Sequence, residues 1–481
     1  MIREPGFWRC HKQSRVWQVL LIVLVLSACA PLEGLPPASS EPAASTTVVV
    51  PPTSADPAVT SSTTTTTATT ITTTAPPAVY HLHLEVEPVV ASFTIEGADG
   101  SLFTGEDPFD GAVAVPITVS LQADGYNDLT EVIDLDADAT FTLWLDRQGQ
   151  VLHKVTEWTT GPAPKQVAFT PDSREIWVTL LGGSGFEVFD PHTGQRLAAV
   201  DLPEAGSVEV IFNAAGTKAY ISQMETASVY EVDVASRGVL RRLDTEGVWT
   251  KVIVLSPDEL TLWAANWVSN DVSEIDLATG EVRRRFTTVT TPRGLYVTPD
   301  GARMYVAGFE NGEIQVFDLA SLESEVIYRS GGAMRHLVGD PERHRVYASD
   351  MARAHVLEID TITNEVTELA AVDRVPNTID LSPDGRMLFV SNRGRNNSET
   401  YYKPGPEWGS VVVVDTATGA YVDALVGGNQ TTGLDVSPDG TMLAFSDFLD
   451  NRVTVYTIPS YEDLAAGGGG RWETHLREIR K

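Results

Sequence analysis

Four cationic side chains fall at one position of a pattern that recurs seven times between residue 164 and the C-terminus. This position, here called the inner register, holds Lys165, Val208, Lys251, Arg293, Arg335, Asn377 and Thr432. Arginine and lysine donate charge-assisted hydrogen bonds to anionic groups. In a chain with a formal net charge of −31, such a group would form a local positive site. The register therefore predicts a site for an anionic or polyhydroxyl ligand.

A second position of the pattern, here called the end register, carries several amides and carboxylates. It holds Leu180, Gln223, Asn266, Gly308, Asp350, Asn392 and Asp447. Asp350, Asn392 and Asp447 are candidate ligand-binding residues, and so is His336, which directly follows Arg335. One alternative stays open at this point: the four cations pair with Asp350 and Asp447 and only tie neighbouring repeats together.

The chain lacks the common catalytic motifs. No Gly-x-Ser-x-Gly elbow, His-Glu-x-x-His pair or phosphate-cradling glycine loop is present. Its two cysteines are Cys10 and Cys29, which excludes thiolate zinc sites, iron–sulfur clusters and covalent c-type haem from the remainder of the chain. We therefore predict no metal and no cofactor, and an enzyme is the less favoured class.

Turns rich in Pro, Asp and Gly mark the seven copies. They start at Thr170, Asn213, Ser256, Thr298, Asp340, Ser382 and Ser437, with successive spacings of 43, 43, 42, 42, 42 and 55 residues. A period near 42 made of short apolar strands predicts a β-propeller with one four-stranded blade per repeat. A single blade cannot bury both of its faces, so the repeats must pack side by side and close a ring. In that ring the inner and end registers lie on one face, around the central channel.

The second strand of each blade is the clearest element of the repeat. Examples are Ile176-Trp177-Val178-Thr179 and Met304-Tyr305-Val306-Ala307. These strands resemble the YVTN repeat, and the resemblance extends over all seven copies. It implies a seven-bladed β-propeller in a family that contains binding proteins and lactonase-like enzymes. A lactonase-like hydrolase is therefore the alternative function, with His336 and Arg335 as the candidate base and cation.

Two segments depart from the regular repeat. Residues 150–158 have the pattern of an outer strand, which predicts that they complete the last blade beside residues 452–458. Residues 393–408, here called the insertion, lengthen the sixth blade between its second and third strands. The insertion carries five candidate lid residues: Arg393, Arg395, Tyr401, Tyr402 and Trp408. The propeller is predicted over residues 150–461, followed by a solvated C-terminal tail at 462–481.

Residues 79–149 alternate apolar and polar side chains, which predicts a small antiparallel β-sandwich. The segments Pro88-Val89-Val90-Ala91, Phe93-Thr94-Ile95 and Gly125-Tyr126 resemble a PEGA domain, with Val90 where that family has glycine. The resemblance implies the role of a surface adaptor without chemistry of its own.

The N-terminal residues predict export and anchoring. Residues 1–28 combine a cationic start with the apolar run 16–26, as a signal peptide does. The run leads into Leu26-Ser27-Ala28-Cys29, which resembles a bacterial lipobox. The resemblance implies cleavage before Cys29, acylation of its thiol and attachment to a bacterial membrane. Residues 29–78, rich in Thr, Pro and Ser, predict a disordered linker.

The acidic composition also narrows the partners. A body with an excess of carboxylates repels nucleic acid, so we expect no nucleic-acid partner. The sequence as a whole predicts an all-β, lipid-anchored, extracytoplasmic monomer. Its expected function is that of a binding or scaffold protein of the cell envelope, whose channel face takes a protein, a glycan or a small anionic ligand.

Overall fold

The computed structural model describes residues 76–467 and 469–481. Within these residues the chain is all-β apart from two short helices, as the sequence predicts. The predicted signal peptide, the predicted lipidation site Cys29 and most of the predicted linker lie outside them.

Seven strands form the first folded part. They are β1 (Val79–Glu87), β2 (Ser92–Gly97), β3 (Leu102–Glu106), β4 (Phe109–Ala114), β5 (Ile117–Gln122), β6 (Leu129–Ile133) and β7 (Ala139–Trp144). One sheet has the order β4-β1-β7 and the other β3-β2-β5-β6. Alternate residues of these strands, such as Leu82, Ile95 and Val119, are fully buried between the sheets. The sandwich is mixed, not purely antiparallel as predicted, because β1 and β7 run parallel.

Seven four-stranded sheets, the blades, follow the sandwich. After β8 (His153–Thr159), blade 1 contains β9 (Pro164–Phe169), β10 (Ile176–Leu180), β11 (Gly185–Phe189) and β12 (Arg196–Asp201). Blade 2 contains β13 (Ser207–Phe212), β14 (Lys218–Gln223), β15 (Ser228–Asp233) and β16 (Val239–Asp244). Blade 3 contains β17 (Thr250–Leu255), β18 (Thr261–Asn266), β19 (Asp271–Asp276) and β20 (Val282–Thr287). Blade 4 contains β21 (Pro292–Val297), β22 (Arg303–Gly308), β23 (Glu313–Asp318) and β24 (Ser324–Arg329).

The remaining strands complete the ring. Blade 5 contains β25 (Met334–Asp340), β26 (Arg345–Asp350), β27 (His355–Asp360) and β28 (Val366–Ala371). Blade 6 contains β29 (Pro376–Leu381), β30 (Met387–Asn392), β31 (Ser410–Asp415) and β32 (Tyr421–Val426). Blade 7 contains β33 (Thr431–Val436), β34 (Met442–Asp447), β35 (Arg452–Thr457) and, as its outermost strand, β8. The antiparallel pairing of β8 with β35 confirms the predicted closure and leaves blade 7 without an open edge there.

The innermost strands contact one another in a circle from β9 through β33 and back to β9, around the central channel. Large aromatic side chains on the second strands, such as Trp177 and Tyr305, are fully buried. Each packs against the next blade; Tyr305, for example, lies with Leu337 and Val346 of blade 5. The blades are therefore joined by apolar wedges, as the repeated aromatic predicts.

Hydroxyl groups on the second strands also join the blades. Ser349, for example, accepts a hydrogen bond from the backbone N–H of His336 (3.2 Å) and donates one to the carbonyl of Asn377 in blade 6 (2.8 Å). Five second strands carry a hydroxyl that donates to a backbone carbonyl of the next blade: Thr179, Ser222, Ser349, Ser391 and Ser446. These bonds hold the start of each following innermost strand in place, which fixes the inner register.

The turn motifs act through their side chains. Thr298 Oγ1 donates to Asp300 Oδ1 (2.6 Å) and accepts from the backbone N–H of Arg303 (3.0 Å). Gly301, with φ of 68°, occupies the left-handed region that glycine enters most easily. Asp190 accepts from two backbone N–H groups at 2.9 Å and so caps the turn that follows its strand.

The C-terminal tail is folded, unlike the solvated segment predicted. It forms α1 (Tyr461–Gly467) and α2 (Arg471–Glu478), and α2 packs against β32. Trp472 stacks on Tyr421 with ring centroids 3.9 Å apart, and His475 is fully buried. The stacked ring of Trp472 and the buried contact of His475 with Asp373 hold this short helix against the propeller, although it carries several charged residues. Neither described helix is long and apolar enough to cross a membrane.

Candidate functional site

The inner register falls at a β-bulge in all seven blades. The pairing of each innermost strand with its second strand shifts at this point. In blade 2, for example, the ladder skips Val208 and Glu209. A bulge leaves residues unpaired and re-aims side chains that a regular strand would alternate between two faces. Its repetition places the inner-register side chains around the channel mouth.

The four predicted cations come together there. Burial holds the pKa of Lys251 well below its usual value, and the charges of Arg293 and Lys165 lower it further. Burial lowers the pKa of Arg335 to about 10. A fifth cation joins the group, because the charge of Arg393 in the insertion lowers the pKa values of both Lys165 and Arg335. These five cations are called the cation cluster below.

Within residues 76–467 and 469–481, no member of the cation cluster takes part in an ion pair. The Nε atoms of Arg293, Arg335 and Arg393 are buried and have no hydrogen-bond partner in this part of the chain. Beside these cations lie aromatic rings in place of the carboxylates that would pair with them. Lys251 Nζ, for example, lies 3.3 Å from the ring centroid of Trp267. Buried charge without a counter-charge is energetically costly, so the channel mouth is electrostatically unsatisfied.

Asp350 and Asp447, predicted as candidate ligand-binding residues, contact the ends of their own blades. Asp350 Oδ1 accepts a hydrogen bond from the backbone N–H of Ala333 (3.1 Å). Asp447 accepts from Thr431 Oγ1 (2.6 Å) and forms an ion pair with Arg452 (2.7 Å). Both carboxylates therefore fix the ends of blades. They do not neutralise the cation cluster, so the alternative in which the cations only tie repeats together does not describe this structure.

The other two predicted polar residues, Asn392 and His336, differ in their hydrogen bonds. Asn392 donates to the carbonyl of Val390 (2.9 Å), and its buried Oδ1 has no partner among the described residues. His336 Nδ1 accepts from the backbone N–H of Ile379 at 3.5 Å. Burial, followed by the charge of Arg335, lowers the pKa of His336 to about 3. Such an imidazole is too weak a base for hydrolysis at neutral pH, so the lactonase-like alternative gains no support.

One acidic residue at the mouth is absent from the sequence-based set. Glu209 follows Val208 in blade 2, and burial raises its pKa to about 7 against the opposing charges of Arg335 and Lys165. The aligned register names one residue per blade, whereas a bulge presents two. Reading the next position as well would have found Glu209. It is the carboxyl that modulates the cation cluster.

Two further carboxyls lie deeper along the channel, also unforeseen. Asp380 and Asp435 stand three positions beyond the inner register, roughly 10 Å along an extended strand. Burial raises the pKa of Asp380 to about 6, and burial with the neighbouring charge of Asp380 raises that of Asp435. Asp435 accepts from the backbone N–H of Phe169 (2.7 Å), which links blade 7 to blade 1. The channel thus changes from cations at the mouth to carboxyls further along the innermost strands.

The insertion brings three of its five predicted lid residues to the mouth. Arg393 donates to the side-chain oxygen of Gln430, whose amide in turn donates to the carbonyl of Tyr401. The ring of Tyr402 packs against that of Tyr401 in a tilted arrangement, with centroids 4.0 Å apart.

The other two predicted lid residues face away from the channel. Arg395 lies 3.6 Å from Glu407 and is largely exposed. The Trp408 ring lies beneath Lys481 at 4.1 Å, and its backbone N–H donates to Ile479 at 2.7 Å. The insertion therefore extends from the channel mouth to residues that contact the C-terminus.

The position one residue beyond the end register is mostly apolar, and three of its aromatic rings contact the cation cluster. This position, here called the rim register, holds Leu181, Met224, Trp267, Phe309, Met351, Arg393 and Phe448. Trp267 and Phe309 contact edge to face at 6.0 Å. The alignment of the seven repeats could have predicted the rim register, because six of its seven residues are large and apolar.

These features define a β-propeller of seven blades with a cationic, aromatic-walled channel mouth. The chain belongs to the YNCE-like beta-propeller family, whose model matches residues 153–400. It is 33% identical over 325 residues to the protein named Antigen Lp49 of Leptospira interrogans serogroup Icterohaemorrhagiae serovar copenhageni (strain Fiocruz L1-130). That match covers 65% of this chain and 71% of the Leptospira protein.

A solved structure supports the fold. The chain is similar to a chain of Kuenenia stuttgartiensis hydrazine synthase, with a TM-score of 0.53 and 19% identity. The match covers 64% of this chain and 98% of that one. At this identity the likeness concerns the fold alone.

Proposed function

We propose that this protein is a binding protein of the bacterial cell envelope whose propeller captures a small anionic ligand at the channel mouth. One observation carries the proposal: three buried cations and two half-buried ones, Lys165 and Arg393, meet there without an ion pair in the described part of the chain. Lys251, Arg293 and Arg335 each keep less than a tenth of their surface exposed. A small anion reaches such groups more readily than a protein or glycan surface does.

The energetics favour a ligand over a purely structural role. Removing a charge from water costs several kcal/mol unless a partner offsets it. Here the cations also raise one another's cost, since four of the five lower the pKa of a neighbouring cation. An anion would offset both costs and would gain charge-assisted hydrogen bonds from the guanidinium groups. The site thus sacrifices stability of the free protein for ligand binding.

The anchor, linker and sandwich form the remainder of the proposal. The lipobox-like residues that end in Cys29 support attachment to a membrane, and the Thr/Pro/Ser-rich segment supports a spacer. The PEGA-like segment supports an adaptor role for residues 79–149. Mass spectrometry of the N-terminal peptide of detergent-extracted protein tests the anchor. An unmodified Cys29 would contradict it.

Sulfate binding tests the site directly. We expect the variant with Arg293→Ala and Arg335→Ala to lose at least tenfold in sulfate affinity by isothermal titration calorimetry, because two charge-assisted donors are removed. The matched control combines Arg196→Ala with Arg329→Ala, two exposed arginines with surface ion pairs at 2.8 and 2.7 Å. The control should bind sulfate as the wild type does. Equal losses of sulfate affinity in the two variants would contradict the proposal.

Glu209 should make anion binding depend on pH near neutrality. Its pKa is about 7, and a bound anion raises that value further, so sulfate binding is linked to proton uptake. Sulfate affinity should fall about tenfold between pH 6 and 8.5, the equivalent of one pKa unit of coupling. Glu209→Gln should remove the part of this dependence centred near pH 7 and bind sulfate more tightly at pH 8.5. Calorimetry over this range measures it, and an unchanged profile would contradict it.

A further inference from the structure

We infer that the ligand of this site is a small aromatic anion, whose negative group lies on the cation cluster and whose ring lies between aromatic side chains of the channel mouth. The inference rests on the proposed anion site and names its ligand class. Two aromatic groups and their contacts with the cations carry it.

The first aromatic group stands above blades 3 and 4. Trp249 and Trp267 lie 5.8 Å apart by ring centroid, and Phe309 contacts Trp267 edge to face. The backbone N–H of Trp267 donates to the carbonyl of Trp249 at 2.9 Å, which holds the two rings on adjacent strand extensions. Trp249 is 40% exposed, so one ring of the group faces solvent at the mouth.

The second aromatic group comes from the insertion and blade 7. The rings of Tyr401 and Tyr402 pack with centroids 4.0 Å apart, and Tyr402 lies 6.4 Å from Phe448. In a ring of seven blades, blade 7 lies opposite the junction between blades 3 and 4. The two aromatic groups therefore face each other across the channel mouth, with the insertion completing one side.

The aromatic groups and the cation cluster form one continuous surface. Lys251 Nζ lies 3.3 Å from the centroid of Trp267, and the Arg293 guanidinium lies 4.9 Å from the same ring. On the other side, Lys165 Nζ lies 5.5 Å from the ring of Phe448. A ligand that touches the cations must therefore also touch aromatic rings.

The exposure of the aromatic side chains also supports an aromatic ligand. Among the described residues, the large exposed aromatic side chains are Phe141, Trp249, Tyr401 and Tyr402, and three of these four stand at this mouth. Exposed apolar groups that cluster beside a buried charge site mark a binding surface. An inorganic anion would leave these rings in water, and a neutral ring would leave the cations unpaired. An aromatic anion satisfies both.

Three probes test the inference on the full-length protein, at pH 7, by calorimetry and by tryptophan fluorescence. They are 2-naphthoate, its neutral analogue 2-naphthamide, and sulfate. We expect 2-naphthoate to bind at least tenfold more tightly than either other probe and to quench tryptophan emission. Trp267→Leu and Tyr402→Leu should each weaken naphthoate binding at least fivefold and change sulfate binding less than twofold. Phe141→Leu, an exposed ring on β7, is the control and should change neither.

Each of the other results contradicts either the aromatic preference alone or the anion site as well. If sulfate binds as tightly as 2-naphthoate, the aromatic preference is wrong and the anion site stands. If 2-naphthamide binds as tightly as 2-naphthoate, the site recognises apolar rings without charge, and both the inference and the proposed anion site fail. Both also fail if none of the three probes binds.

Discussion

Replacing His475 with alanine is expected to lower the free energy of unfolding by about 3–4 kcal/mol. His475 is fully buried under α2, and its Nε2 lies 2.6 Å from Asp373 Oδ2. The same carboxyl oxygen accepts from Ser410 Oγ at 2.5 Å. Truncation removes a donor from a buried carboxyl and leaves a cavity the size of a ring, and neither loss can be repaired by solvent. Denaturation in urea, followed by tryptophan fluorescence and circular dichroism, measures the change.

A matched histidine separates this effect from the loss of any histidine pair. His355 lies 3.1 Å from Glu368 on the surface, where the side chains are 30% and 56% exposed. His355→Ala should cost less than about 1 kcal/mol, because solvent screens the pair. Equal losses for the two variants would show that the buried contact contributes nothing special.

The His475 substitution should also loosen the insertion. The C-terminal residues hold it through the bond from Trp408 N to Ile479 O (2.7 Å) and through Lys481, which donates to the carbonyl of Gly405 at 3.0 Å. Hydrogen exchange in His475→Ala should rise in residues 400–410 before it rises in blades 1 to 3. A uniform increase would mean that the C-terminal helices stabilise the whole ring and not the lid.

The fold could be predicted because its determinants are local and repeated. Turn motifs such as Thr298-Pro299-Asp300-Gly301 specify their own geometry through short side-chain bonds, whatever surrounds them. An aromatic stands at the same position of the second strand in six of the seven blades, so six weak signals add to one strong one. The closing strand was visible for the same reason, since residues 153–159 repeat the pattern of an outer strand.

The features of the site that could not be predicted arise where the repeat gives no information. Asp350 and Asp447 share a register with uncharged residues, so the repeat does not reveal that Asp350 accepts from the backbone of Ala333 and Asp447 from the side chain of Thr431. Glu209 was missed because a bulge presents two residues where an ideal strand presents one. The docking of α2 depends on contacts such as Trp472 with Tyr421, some fifty positions apart in sequence, which no local period encodes. Long-range contacts of single residues must be read from the structure.

Replacing Lys165 with methionine is expected to raise the free energy of unfolding by about 1–3 kcal/mol at pH 7 without added anion. Burial and the charges of Arg335, Arg393 and Arg293 hold the pKa of Lys165 well below 10.5. Methionine keeps the length of the side chain and removes the buried charge. Urea denaturation measures the gain.

The dependence on pH has a definite sign. Between the depressed pKa of folded Lys165 and the value of 10.5 in the unfolded chain, the unfolded state binds more protons, so wild-type stability rises with pH. The advantage of Lys165→Met should therefore shrink as the pH rises toward 10.5. Lys218→Met is the matched control, because Lys218 Nζ lies 2.6 Å from Glu231 and is partly exposed. That variant should lose stability slightly, by less than about 1 kcal/mol.

Added anion should reverse the order of the two proteins. A ligand at one hundred times its Kd stabilises the folded state by about 2.7 kcal/mol, and the wild type keeps all five cations to bind it. Lys165→Met lacks one of them, so it gains less from the same sulfate concentration. Plotted against sulfate, the two stability curves should converge and then cross, which is the signature of charge kept for a ligand at the expense of the free fold. Parallel curves would assign Lys165 a purely structural role, and a loss of stability in the variant at every concentration would show that its charge is compensated within the protein.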